Sequence, residues 1–216
     1  MNALAQTETT TIGARLSAEA RREALVRSAM ELFAQRGFRG ATTREIAQAA
    51  GVSEAIIFRH FANKEELYTA ILDHKACHHA PLPDPCAVLS EAMEQKDDRA
   101  VFERMALMFL EHHDQDPQFI RLLMYSALEG HELKDMFVER NVREIYDLLG
   151  SYVSARQADG AFRGVNPSVV VRAFMGMIIH HSLNQNLWDT EQRLLKISNE
   201  EAAREFTDIL LRGIAA

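Results

Sequence analysis

Residues 42–64 read TTREIAQAAGVSEAIIFRHFANK, and this stretch decides the fold. Thr42 followed three residues later by Glu45 forms a capping box, the reciprocal side-chain and backbone pairing that starts a helix. Ile46, Ala47 and Ala50 recur at helical spacing and give that helix one apolar face. Gly51 supplies the left-handed backbone that ends a helix at little steric cost, Val52 plugs the turn, and Ser53 is an N-cap for the next segment. Ile56, Ile57, Phe58 and Phe61 then give a second, short helix one face for a core and another for something outside. Two short helices around a glycine turn are the layout of a helix-turn-helix, whose second helix enters the DNA major groove. An ordinary helical hairpin shares the glycine turn, but the second helix is too short for a strut and ends in Arg59-His60. Asn63 and Glu66 mark a further helix start directly after it, which puts Lys64 where backbone N–H groups and the helix dipole favour a phosphate.

Upstream, Ser17 caps a predicted helix to about Arg36, with Leu25, Ala29, Leu32 and Phe33 on one face. Gly37 and Gly40 end it, and Phe38 between them is expected under the helix-turn-helix. A longer helix, Asn63 to His79, is expected to link this head to the remainder, with Leu67, Ala70, Ile71 and His74 facing inward.

Thr42-Thr43-Arg44-Glu45-Ile46-Ala47, Gly51-Val52-Ser53, Phe58-Arg59-His60-Phe61 and Lys64-Glu65-Glu66-Leu67 resemble the N-terminal domain of TetR-type transcriptional regulators. The resemblance runs from about Ala18 to His79; beyond it only the helical architecture is similar. It implies a DNA-facing set of Thr42, Thr43, Arg44, Ser53, Glu54, Ala55, Ile57, Phe58, Arg59, His60 and Lys64. Base reading is expected of Arg44, Glu54, Ala55 and Ile57, with Glu54 accepting from cytosine N4 and the apolar pair touching thymine methyls. Phe58 stands where the family usually has tyrosine, so one phosphate-contacting hydroxyl is missing. The glycine often seen near Ala55 is also absent.

The net charge of −7 is unevenly divided. Residues 1–64 hold nine Lys and Arg against six Asp and Glu, a net of +3, whereas residues 65–216 hold fifteen against twenty-five, a net of −10. Phosphate affinity follows local cation placement, so the division suits DNA binding at one end of a 216-residue chain. Cys77 and Cys86 are too few for a disulfide framework and fit a reducing cytoplasm. No run reaches the length of a membrane span, and residues 1–16 lack the apolar segment of a signal peptide. The expected division is a disordered arm over 1–16, a helix-turn-helix DNA-binding domain over 17–79, and a helical effector-binding and dimerisation domain over 80–216.

Asp84-Pro85, Asp116-Pro117 and Asn166-Pro167 each place an N-cap residue before a proline at the first helical position. Helices are predicted from these points, over 98–113, from His131 to about Gln157, and after Ser198. Val169 to Ile179 is apolar except for Arg172 and Gly176, so it must be covered on several sides. Ala173 and Gly176 permit close approach, and the last two helices are read as half of a four-helix bundle completed by a second copy; burial within one subunit is the competing reading. No strand alternation appears, so the fold class is all-α.

Enzyme chemistry lacks support: there is no glycine-rich phosphate loop, no G-x-S-x-G elbow and no cysteine in a catalytic context. His74 and His78 share a helix face, but no two-cysteine zinc spacing or Glu-x-x-His motif accompanies them, so neither metal nor cofactor is expected. Soft apolar surface in the body points to a ligand pocket, with Met105, Met108, Phe109, Leu123, Phe174 and Met177 as walls. His112, Tyr125, His180 and Asn184 are expected to orient the ligand. The expected function is a homodimeric repressor on a palindromic double-stranded operator, released by a small apolar or amphipathic effector. A DNA-bound protein adaptor of the same fold is the alternative.

Overall fold

The computed structural model describes residues 17–78 and 83–216, except for the side chains of 64, 65 and 75–78. The expectations for the 1–16 arm and for His79 lie outside these residues, as do those for the side chains of Cys77 and His78. The described residues form an all-α fold without strands, in the order α1 (Ala18–Gly40), α2 (Thr43–Ala49), α3 (Glu54–His60), α4 (Lys64–His78), α5 (Pro85–Glu94), α6 (Asp98–Gln115), α7 (Pro117–Leu128), α8 (Glu132–Phe137), α9 (Arg143–Ala158), α10 (Pro167–Leu183) and α11 (Asn199–Ile214).

Local chemistry sets the helix starts. Ser17 Oγ accepts from Ala20 N, Asp84 from Cys86 N, Asp116 from Phe119 N, Asn166 from Ser168 N and Ser198 from Glu201 N. The regular part of α1 stops at Gly37, whose φ of 70° and ψ of 175° suit glycine, and one further turn carries Phe38 inward. The expected single helix from His131 to Gln157 is interrupted: α8 and α9 are joined by a π-helical turn, Val138–Val142. Such a turn holds one residue more than an α-helical turn and shifts the register of the faces on either side. A second π turn, Asn184–Trp188, extends α10.

Two hydrophobic cores result. One joins α1–α4 through Leu25, Phe33, Phe38, Ile46, Ile57, Phe61 and Tyr68, and it includes Leu122 of α7 and Leu133 of α8. The other is built by α5, α6, α9, α10 and α11 around Leu89, Phe102, Met105, Leu149, Phe174 and Ile178. The α7–α8 junction meets the first core directly. His131 stacks on Phe38 with centroids 3.8 Å apart and meets Tyr68 edge-on at 4.2 Å, so the three rings interlock.

Candidate nucleic-acid interface and ligand cavity

The capping box expected at α2 is complete: Glu45 N donates to Thr42 Oγ1 at 3.2 Å, and Thr42 N donates to Glu45 Oε2 at 3.0 Å. Arg36 anchors the same carboxylate at 2.9 Å, tying α1 to the start of α2. Gly51, at φ 70°, lets Val52 N return to Ala47 O at 2.9 Å and closes the turn. The Thr43 hydroxyl donates to Glu54, so the first residue of α2 is tied to the first residue of α3. At α4, Glu66 N donates to Asn63 Oδ1 at 2.8 Å and Ala62 N to Glu66 Oε2 at 2.7 Å, a second reciprocal cap. Lys64 opens α4 as expected of a phosphate-binding position; its side chain lies outside the described residues.

The outward side of this motif carries Thr42, Arg44, Ser53, Glu54, Ala55, Phe58 and Arg59, with Thr43 and His60 half-buried. Neither Arg44 nor Arg59 is paired with a carboxylate among the described residues, so both present unpaired positive charge. Phe58 is 60% exposed, an aromatic ring standing free beside Arg59. The assignment of Ile57 to base reading is corrected: at 3% exposure it belongs to the N-terminal core. With Ile57 turned inward, the neighbouring Phe58 points outward, as the 100° step of an α-helix requires.

The second candidate is a cavity of about 390 Å³, partly open to solvent, lined by α6, α7, α8, the first π turn, α9 and α10. Phe109, Ile120, Leu123, Ile145, Met175 and Ile179 supply apolar wall. Polar groups are few: His113, Lys134, Tyr146, Arg172 and Ser182. His113 Nδ1 lies 2.8 Å from Ser182 Oγ, linking α6 to α10. Burial, with the neighbouring His112 adding to it, pushes the His113 pKa down to about 4, so the ring is neutral at pH 7.

Of the ten residues expected to bind ligand, Phe109 and Leu123 line this cavity. Met105 and Phe174 are corrected to core, both with no exposed surface. The remaining six are dispersed: Met108 and His112 face a groove beside α5, Tyr125 lies in a hollow against α1, and Met177, His180 and Asn184 border a depression near α11. Asn184 is occupied there by the His180 carbonyl, to which it donates at 2.9 Å. The cavity's polar residues were missed, although Arg172 had a signal: it interrupts an otherwise apolar run.

Residues 25–71 match the family model described as "Bacterial regulatory proteins, tetR family". The chain is 28% identical over 192 residues to the uncharacterised HTH-type transcriptional regulator YvkB of Bacillus subtilis (strain 168), covering 88% of this chain and 94% of that protein. It is 45% identical over 60 residues to the HTH-type transcriptional activator FasR of Mycolicibacterium smegmatis, covering 28% of this chain and 27% of that one. The fold is similar to the crystal structure of AibR in complex with isovaleryl coenzyme A and operator DNA, at a TM-score of 0.60 and 22% identity, over 88% of this chain and 98% of AibR. The family and these relatives are transcriptional regulators rather than enzymes. With a capped helix-turn-helix and two unpaired arginines on its outer side, residues 25–71 match the TetR-type DNA-binding domain, and the chain as a whole is similar to an HTH-type transcriptional regulator.

Proposed function

We propose that this regulator is a homodimeric repressor, with residues 17–79 as its reading head, released from a palindromic operator when a small apolar or amphipathic effector enters the cavity. The observation that carries the reading is a shared wall. Leu123 of α7 and Phe137 of α8 line the cavity and also pack on the hydrophobic core of the DNA-binding helices. An effector that displaces either side chain acts on both places at once. Two recognition helices in a dimer must lie about 34 Å apart to enter successive major grooves, so a small tilt of the heads weakens operator binding.

Support for a second copy comes from α10 and α11. Val169 is 56% exposed and Ile209 60%. An exposed apolar face suits another helix pair. The cavity is what favours an effector over the adaptor reading, which calls for a solid body. No described helix is long and apolar enough to cross a membrane, in keeping with a cytoplasmic DNA-bound protein.

The test is a reciprocal titration. A duplex selected from random DNA serves as operator, and amphipathic compounds are titrated into the full chain with and without it. Linkage requires operator to weaken effector binding by the factor with which effector weakens operator binding. Cavity binding indifferent to operator overturns the release mechanism, and a monomer in sedimentation at operator-binding concentrations overturns the dimer.

A further inference from the structure

The lining of the cavity has the opposite charge balance to the body around it. Residues 65–216 carry a net charge of −10, yet no Asp or Glu lines the cavity, whereas Lys134 and Arg172 do. Lys134 is committed elsewhere, through an ion pair with Asp135. Arg172 has no carboxylate partner among the described residues; its Nε donates to the Tyr146 hydroxyl at 3.5 Å, and both residues line the cavity. Arg172 is exposed at the rim of the cavity, where its planar fork matches carboxylate and phosphate oxygens entering from solvent.

The polar group farthest along α10 is Ser182, ten positions from Arg172 and therefore about 15 Å away along the helix axis. There the hydroxyl is taken up by His113, and this neutral pair adds no second charge. Between the two ends the wall of α10 is Met175, Gly176 and Ile179. One charged end and one long apolar stretch define the complement.

We propose that the cavity takes an amphipathic anion, its hydrocarbon body lying along Met175 and Ile179 and its carboxylate or phosphate head held by the Arg172 guanidinium with Tyr146. This rests on the effector reading above and narrows it from any apolar or amphipathic compound to one charge class.

Four probes sharing one hydrocarbon chain test it by calorimetry on the full chain: decanoate, decyl phosphate, decanol and decylamine. Decanoate or decyl phosphate is expected to bind about ten to a hundred times tighter than decanol, as a charge-assisted contact gives, with decylamine weakest. The tighter of the two anions identifies the head group. Arg172→Gln removes the preference and leaves decanol binding unchanged, while Arg172→Lys keeps part of it. Circular dichroism and sedimentation confirm that both variants fold and associate as the parent does; if Arg172→Gln fails to fold, loss of decylamine discrimination in Arg172→Lys overturns the proposal and its retention supports it. Equal binding of decanol and both anions, survival of the preference in folded Arg172→Gln, or no binding of any probe each overturns it. Decanol that binds equally and releases operator overturns the charge class alone. Anions held by Arg172 without effect on operator uphold the site and overturn the release mechanism.

Discussion

Across 91 positions of sequence, the carboxylate of Glu129 accepts the backbone N–H of Phe38 at 3.1 Å. The same oxygen accepts from Arg39 N at 3.1 Å, so the last turn of α1 is held by a residue distant in the chain. Glu129 caps α7, whose Ala127 lines the cavity, and His131 two residues on is wedged against Phe38. Glu129 is half-buried, which leaves its two hydrogen bonds partly screened by water. Glu129→Ala is therefore expected to lower unfolding stability by about 1–2 kcal/mol and to reduce the factor by which an effector weakens operator binding. Urea denaturation and operator titration measure the two effects. A variant with lowered stability and unchanged coupling would assign Glu129 to structure alone.

Gly37 faces the same carboxylate. A Cβ there would lie 2.2 Å from Glu129 Oε1, and its φ of 70° strains any L side chain. Gly37→Ala is expected to cost about 2–4 kcal/mol, the sum of backbone strain and the clash. Combining it with Glu129→Ala removes the clash with the carboxylate and leaves the backbone strain and a 3.2 Å contact with the Tyr125 ring. The double variant should then be more stable than the sum of the single losses predicts. Strict additivity would mean that the Gly37 penalty lies in the backbone and the Tyr125 contact alone.

Phe58 presents its ring to solvent beside the unpaired Arg59. Phe58→Tyr keeps the ring and adds a hydroxyl able to donate to a phosphate. Operator binding is expected to tighten by about 1 kcal/mol, with protein stability within about 0.5 kcal/mol of the parent because the site is exposed. Fluorescence anisotropy at fixed salt checks this, and equal or weaker binding by the folded variant refutes it.

His113 gives the body a pH dependence. Its pKa falls from the ordinary 6.5 to about 4 on folding, so between these values the unfolded chain binds the extra proton. The stabilisation from the neutral ring is fully present above pH 6.5 and is lost as pH falls through the window toward 4. Between pH 7 and pH 5 this amounts to about 2 kcal/mol, and His113→Gln should flatten that part of the profile. Burial lowers the pKa of His181 as well, which leaves a residual slope of the same sign. Chemical denaturation at the two pH values decides it; a variant with the parent's full slope would place the effect elsewhere.

The reading head was legible because its instructions are local. The Thr42–Glu45 box and the turn at Gly51 each act within a few residues, and the structure realises both as read. The three cap-proline pairs succeed for the same reason. Ile56, Ile57 and Phe58 show the limit. Three consecutive apolar residues sweep most of the way round a helix, so periodicity cannot say which one faces outward in a seven-residue segment. Packing against α1 and α4 decided it, burying Ile57 and leaving Phe58 exposed.

The cavity was less legible because a pocket is a failure of packing, not a residue type. Met105 and Met175 look alike in sequence and share one core, yet only Met175 also lines the cavity, according to how five helices and a π turn meet. That turn followed no readable break in the pattern from His131 to Gln157. The contact between Glu129 and Phe38 was equally invisible, since nothing local in either segment requires the other. The sequence by itself determined the helices, their caps and the charge division between head and body. Tertiary structure alone decided which apolar side chains leave a gap, that Arg172 borders it without a carboxylate partner, and that the α7–α8 junction closes on the end of α1. Each of these depends on distances between segments far apart in the chain, which no local propensity encodes.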